Sequence, residues 1–345
     1  MRVGRLLQER LVRLHVTLLF LLGCSSGATP STPPPASEDA SDAQLAIDAA
    51  IDSGADDSAS ARTCDADCPL VTGGTFARKY AVVDGGVIAE AAPASVTAFA
   101  LDKYEVTVGR FRAFVAAWKG GWAPSSGAGK HVHVVGGGLA NVLGGIETGW
   151  EPSDDAAIAP TDEHLACESL ATWTPSAGAG ESSPINCVNW WEARAFCIWA
   201  GGFLPSEAEW EYAAAGGGEQ RAFPWGAVAP GSENTYAIYD CNYPLGSGTC
   251  LGGAAPVGTA TLGVGRWGQL DLAGNVNEWT LDSFGDYATP CADCARISSN
   301  GDSSFRVTRG GYFSVDAEYI LPTSRSTAPP ASRSACLGFR CAYAP

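Results

Sequence analysis

Positive charge is scarce in this chain of 345 residues: 21 Lys and Arg stand against 37 Asp and Glu, a net charge of −16. Binding a phosphate backbone needs clustered cations, so nucleic acid is excluded as a partner. A soluble, exported surface, one that could hold divalent cations, fits the charge. Histidine is sparser still, at four residues, and methionine occurs once. The apolar run Val16 to Leu22 falls well short of the ~20 residues that span a bilayer. No repeat of the 20–50-residue kind interrupts the chain.

Cysteine, by contrast, is abundant. Twelve cysteines would not stay paired in a reducing cytoplasm, and behind an export signal they read as disulfides. Such a signal opens the chain. Arg2, Arg5, Arg10 and Arg13 form a positive region, Val16 to Leu22 an apolar one, and Leu21-Leu22-Gly23-Cys24 follows at once. That layout is a bacterial lipoprotein signal over residues 1–23, with Cys24 as the lipidated first residue of the mature protein. Residues 24–63 hold Ala, Ser, Pro and Asp, with seven acidic side chains and no aromatic ring. Such a segment cannot bury enough apolar area to offset its ordering entropy, and it reads as a disordered acidic tether.

The pattern of a folded domain occupies residues 64–345. Eleven Trp and twelve Phe supply its core, and Trp190, Trp191, Trp199, Trp210, Trp225 and Trp279 belong there rather than on a ligand platform. Val71 to Phe76 reads as a strand and turn, and Phe99 to Thr107 as a half-buried strand. Phe111, Phe114, Val115 and Trp118 fall at helical spacing. Residues 120–146, rich in Gly, are loop. Asn189-Trp190-Trp191-Glu192 and Ser206-Glu207-Ala208-Glu209 are capping boxes that start two helices. Glu207, Glu209 and Glu211 read as cap and solvated face. Short strands lie within Gln269 to Thr280 and Phe305 to Phe313.

Seven segments in register carry a resemblance. They are Leu101-Asp102-Lys103-Tyr104-Glu105-Val106-Thr107, Pro184 to Trp190, Trp199 to Tyr212, Phe223-Pro224-Trp225-Gly226, Asp271 to Trp279, Arg309-Gly310-Gly311, and Leu337 to Ala342. Over roughly residues 69–345 the chain resembles the formylglycine-generating enzyme (sulfatase-modifying factor) family. The resemblance implies an α+β, C-type-lectin-like fold, loop-rich and disulfide-bonded. It also implies O₂-dependent oxidation of a sulfatase cysteine by copper(I) held on two thiolates, soft ligands for a soft ion. The two copper positions fall at Val315 and Ile320, which have no sulfur, and Tyr312 replaces a serine usual after the glycine pair. Copper is therefore not expected. Cys291, Cys294 and Cys336 are the substitute thiols to consider. A second branch of the fold uses iron on His and carboxylates; His131, His133 and His164 are read as surface residues, and iron is not expected either.

The resemblance further implies calcium on Asp271 and Glu278 with the carbonyls of Gly274 and Val276, oxygen donors of the kind Ca²⁺ prefers, and a second site near Asn242. It pairs Cys197 with Cys341. Proximity suggests Cys241 with Cys250 and Cys291 with Cys294; Cys167 with Cys187 is a guess, Cys64 and Cys68 are unassigned, and Cys336 is the candidate free thiol. Two functions follow. One is a non-catalytic module for an envelope protein or glycan, anchored to the membrane by the lipid on Cys24. The other is an oxidase of the formylglycine-generating type with a rearranged metal site.

Overall fold

The computed structural model describes residues 68–83, 86–246, 249–298 and 304–345, without the side chains of residues 86 and 89–91. The signal over 1–23, Cys24, the tether over 24–63 and Cys64 lie outside the described residues. In chain order the strands and helices are β1 (Leu70–Val71), β2 (Gly74–Val83), β3 (Gly86–Val96), β4 (Phe99–Leu101), α1 (Val108–Lys119), β5 (Ala140–Asn141), α2 (Asp162–Leu165), α3 (Trp190–Trp199), α4 (Glu207–Ala214), β6 (Asn277–Ser283), β7 (Cys291–Ala292), β8 (Cys294–Ala295), β9 (Arg306–Arg309), β10 (Ser326–Ala328), β11 (Leu337–Gly338) and β12 (Ala342–Tyr343). Long loops join them. Among the described residues, no helix is long and apolar enough to cross a membrane.

The strands form small sheets ordered β1-β4-β12, β10-β9-β6-β11, β2-β3-β7 and β5-β8. β2 and β3 make one antiparallel hairpin with a bulge after Lys79. The C-terminal strands are shared out: β11 runs parallel to β6, and β12 antiparallel to β4. The segment Phe99 to Thr107 forms a strand only over its first three residues. All three are buried, not half-buried as expected, because β4 is the middle strand of its sheet.

Local chemistry explains the helices. Thr107 caps α1, its Oγ1 accepting from the Arg110 N–H at 3.3 Å, and Val108, Phe111, Phe114 and Val115 are its buried face. Asn189 Oδ1 accepts from the Glu192 N–H at 2.9 Å, and Glu192 accepts from the Asn189 N–H at 3.2 Å. The same reciprocal box opens α4, with Ser206 and Glu209 at 3.2 and 2.8 Å.

Two apolar clusters sit on either side of these helices. In one, Phe111 of α1 stacks on Phe196 of α3 at 5.6 Å, and Phe339 meets Phe196 edge-on at 5.4 Å. In the other, Trp210 packs with Phe76, Phe99, Leu101 and Phe203. Disulfides join Cys197 to Cys341, Cys241 to Cys250, Cys291 to Cys294 and Cys167 to Cys187. Cys336 is not the free thiol that odd counting suggested: it is disulfide-bonded, as is Cys68, and no free cysteine occurs among the described residues.

The Cys197–Cys341 bridge spans 144 residues and Cys241–Cys250 spans 9. By chain entropy, replacing the first pair with serines costs about 5 kcal/mol and the second about 2.5 kcal/mol. Denaturant titration of the two double variants checks the ranking; equal losses would contradict it.

Candidate functional site

The segment after Arg309 is shaped by its glycines. Gly310 and Gly311 have φ of 95° and 70°, where side-chain-bearing residues are strained. A Cβ on Gly311 would strike the Tyr319 carbonyl and the Ile320 side chain. The chain therefore folds back through a 3₁₀ turn at Ala317–Tyr319 and brings Val315 and Ile320 together. They pack with Ala237, Tyr239 and Ala273 in one apolar cluster, and Ile320 is fully buried. Neither side chain has a donor atom, so the pair does not fit a copper ion. Tyr312 packs on the same cluster, and burial raises its phenol pKa.

Beside this turn lies the loop from Asp271 to Glu278. Asp271, Gly274 and Asn275 all have left-handed φ, and a side chain on Gly274 would strike the Ile238 carbonyl. Buried Glu105 holds the loop's shape, accepting from Asn275 Nδ2 at 2.7 Å and from the Val276 N–H at 3.1 Å. Glu278 is fully buried and grips Arg340 with both oxygens at 2.7 Å. Trp210 Nε1 donates to the same carboxylate at 2.8 Å. Asp271 Oδ2 accepts from the Gly258 N–H at 2.6 Å.

In this arrangement the loop does not fit the calcium ligand set expected of Asp271, Gly274, Val276 and Glu278. The Glu278 carboxylate is committed to a guanidinium, whose positive charge would repel a cation. Among the described residues no group of three or more His, Cys, Asp or Glu side chains could hold a metal. Three buried carboxylates (Glu105, Asp271 and Glu278) surround one Arg340. Burial pushes Glu105 well above the usual carboxylate range and Asp271 up to about 6, and neighbouring carboxylates add to both. Asn242 is also engaged: its Oδ1 accepts from the Tyr239 N–H at 3.1 Å and its Nδ2 donates to the Ala237 carbonyl at 2.9 Å.

The expectation for α4 is overturned. Glu207, Glu209 and Glu211 are all buried and form no solvated face. Glu207 and Glu211, one turn apart, face three arginines. Arg78 reaches both at 3.0 and 2.9 Å, Arg309 reaches Glu211 at 2.5 Å, and Arg325 reaches Glu207 at 2.5 Å. Burial alone would raise the Glu207 pKa, but the three guanidiniums hold it at about 2. Glu209, on the opposite face, meets His131.

His131 is likewise no surface residue. It is fully buried, with Nδ1 3.0 Å from Glu147 and Nε2 3.0 Å from Glu209. Burial would lower its pKa, yet Glu209 and Glu147 more than reverse this, to about 10. The imidazolium so formed donates from both nitrogens and pins the Gly-rich loop to the cap of α4. Both nitrogens are thus spent, so His131 offers nothing to iron. His133 stacks on Phe203 at 5.2 Å. His164 Nδ1 lies 2.7 Å from the Ala159 carbonyl at the exposed end of α2. Cys291 and Cys294 pack with Phe76 and Phe99, in a different cluster from Val315 and Ile320.

Residues 56–345 match the family described as Sulfatase-modifying factor enzyme 1-like domain. The formylglycine-generating enzyme of Thermomonospora curvata is 31% identical over 269 residues, covering 72% of this chain and 82% of that one. A Bos taurus protein named inactive C-alpha-formylglycine-generating enzyme 2 is 33% identical over 186 residues, 50% of this chain and 56% of that one. Among solved structures, PvdO from Pseudomonas aeruginosa superposes with a TM-score of 0.52 over 82% of this chain and 96% of that one, at 20% identity. That likeness establishes the α+β, C-type-lectin-like, loop-rich fold.

The raised His131 pKa favours folding fully below 6.5, its ordinary value, and that contribution is lost as pH climbs toward about 10. Thermal melts should therefore fall from pH 7 to pH 10, and His131→Gln should lower the melt at pH 6 and flatten the slope. For Asp271 the sign also favours low pH: its pKa of about 6 means that ionisation opposes folding above that value. Asp271→Asn keeps the acceptor for Gly258 and should add about 2 kcal/mol at pH 8 and nothing at pH 4. A chelator should leave both melts unchanged. Calcium held by Asp271 would show the opposite, a chelator-sensitive melt that the asparagine variant lacks.

Proposed function

This chain belongs to the sulfatase-modifying factor enzyme 1-like domain family, and we propose that within it the protein is a non-catalytic binding module carried on a lipid anchor in the cell envelope. The observation that carries this reading is the apolar packing of Val315 and Ile320 behind Gly310-Gly311. A cuprous ion needs sulfur donors, and the two positions that the family resemblance assigns to them are filled with aliphatic core. Cys291 and Cys294 do not substitute, because they form a buried disulfide with each other. A relative of comparable identity bears a name that calls it inactive, which supports loss of activity on this scaffold.

The loops then serve recognition. Binding sites tend to sit on loops held by a rigid scaffold. Here buried ion pairs and disulfides supply the rigidity that short strands and helices cannot. Export rests on the charged and apolar pattern of residues 1–23, with anchoring at Cys24 and reach from the acidic tether. The partner would be an envelope protein or a glycan.

Two measurements test this. The purified protein, offered copper(I) and a cysteine-containing peptide under O₂, should bind no copper stoichiometrically and consume no oxygen above background. One equivalent of copper with turnover would overturn the reading. In cells, Cys24→Ala should abolish incorporation of a labelled fatty acid and move the protein from the membrane pellet to the soluble fraction.

A further inference from the structure

We propose that the recess between α4 and the connection from β6 to β7 binds a small oxyanion: a carboxylate, or a sulfuryl or phosphoryl group. This deepens the binding-module reading and depends on it only in that the ligand is held and not turned over. The recess measures about 230 Å³, room for about seven or eight waters. Its walls include Arg78, Arg296, Arg325 and Tyr287, with Glu207 and Asp282 among them.

Its hydrogen-bonding groups do not balance. The two buried carboxylates are saturated. Glu207 takes Arg325 at 2.5 and 2.9 Å and pairs with Arg78 at 3.0 Å and Arg309 at 3.3 Å. Asp282 accepts the backbone N–H groups of Glu207 and Arg296, each at 2.8 Å. Asp286, at the mouth, is exposed. The guanidiniums are not saturated. Arg296 makes no ion pair to a carboxylate among the described residues, and it gives one Nη2 bond of 3.2 Å to the Asp286 carbonyl. Its Nε is buried without a hydrogen-bond partner, and Arg78 Nη2, though ion-paired, also lacks hydrogen-bond geometry.

Arginine offers five donors and no acceptor, and leaving buried donors unmet is costly. A ligand that presents acceptors alone completes the set; a cation or a hydroxyl-rich neutral would leave donors facing donors. The fork of a guanidinium also matches the paired oxygens of a carboxylate, sulfate or phosphate. The donors are held in place from behind. Tyr287 lies between Arg78 and Arg325, whose guanidinium carbons stand 4.0 and 4.2 Å from its ring centre, so the site is formed before a ligand arrives.

Isothermal titration of the full chain with acetate, sulfate and phosphate, each at constant ionic strength, tests the proposal. At least one anion should bind saturably below about 10 mM, a range that fills sites with Kd near 1 mM. The acetate arm separates a carboxylate site from one for tetrahedral anions. Arg296→Gln should weaken binding at least tenfold without changing the melt by more than a few degrees. Arg296→Lys, which keeps the charge and loses the fork, should fall between, and exposed Lys119→Gln should bind as the parent does. Absence of saturable binding for all three anions, or binding that both Arg296 variants retain, overturns the site. Oxygen turnover in the copper assay would sink the non-catalytic reading and leave this titration untouched, so the two failures are distinguishable.

Discussion

The fully buried pair of Arg340 and Glu278 is the contact on which the rest of the molecule leans. Both oxygens of the carboxylate face the guanidinium at 2.7 Å, and no water reaches either group. Arg340 also donates to the carbonyls of Asp102 and Lys103 at 3.2 and 3.3 Å, and Trp210 of α4 donates to Glu278. One ion pair thus joins four stretches that are far apart in the chain. Burying such a pair is costly, and its value lies in geometry: with one partner gone, the other is an uncompensated charge in an apolar core.

The same device recurs wherever regular structure is short. The capping glutamate of α3, Glu192, binds Arg333 with both oxygens at 2.6 Å. The capping glutamate of α4, Glu209, binds His131. A cap that normally serves only its own helix is here a tie to a distant loop. Helices of 10 and 8 residues are too short to be stable alone, and these ties fix their starts within the fold.

This explains what could be read in the sequence. Caps, helix periods and the seven family segments are local, and they gave the helices, the fold class and the loop after Arg309. The roles of Glu207, Glu211 and His131 were hidden because their partners lie far away: Arg78 is 133 residues from Glu211, and Glu209 is 78 from His131. A carboxylate at every second position of α4 looks like a solvated face until the opposing arginines are in place. The only sequence hint was the spacing of Glu207 and Glu211, which share one helix face. For Cys336, parity arithmetic failed because it treated Cys24 as withdrawn from pairing.

Residues 337–343 have a consequence for biogenesis. This short stretch supplies β11 to β6, Phe339 to the aromatic cluster, Arg340 to Glu278, Cys341 to Cys197 and β12 to β4. The core therefore cannot close progressively as the polypeptide emerges from the ribosome. It waits for the last-made part of the domain, and until then a large apolar surface stands open to chaperones and proteases. Prematurely terminated products lack the closing piece, so degradation can discriminate them from full-length protein by exposed core alone.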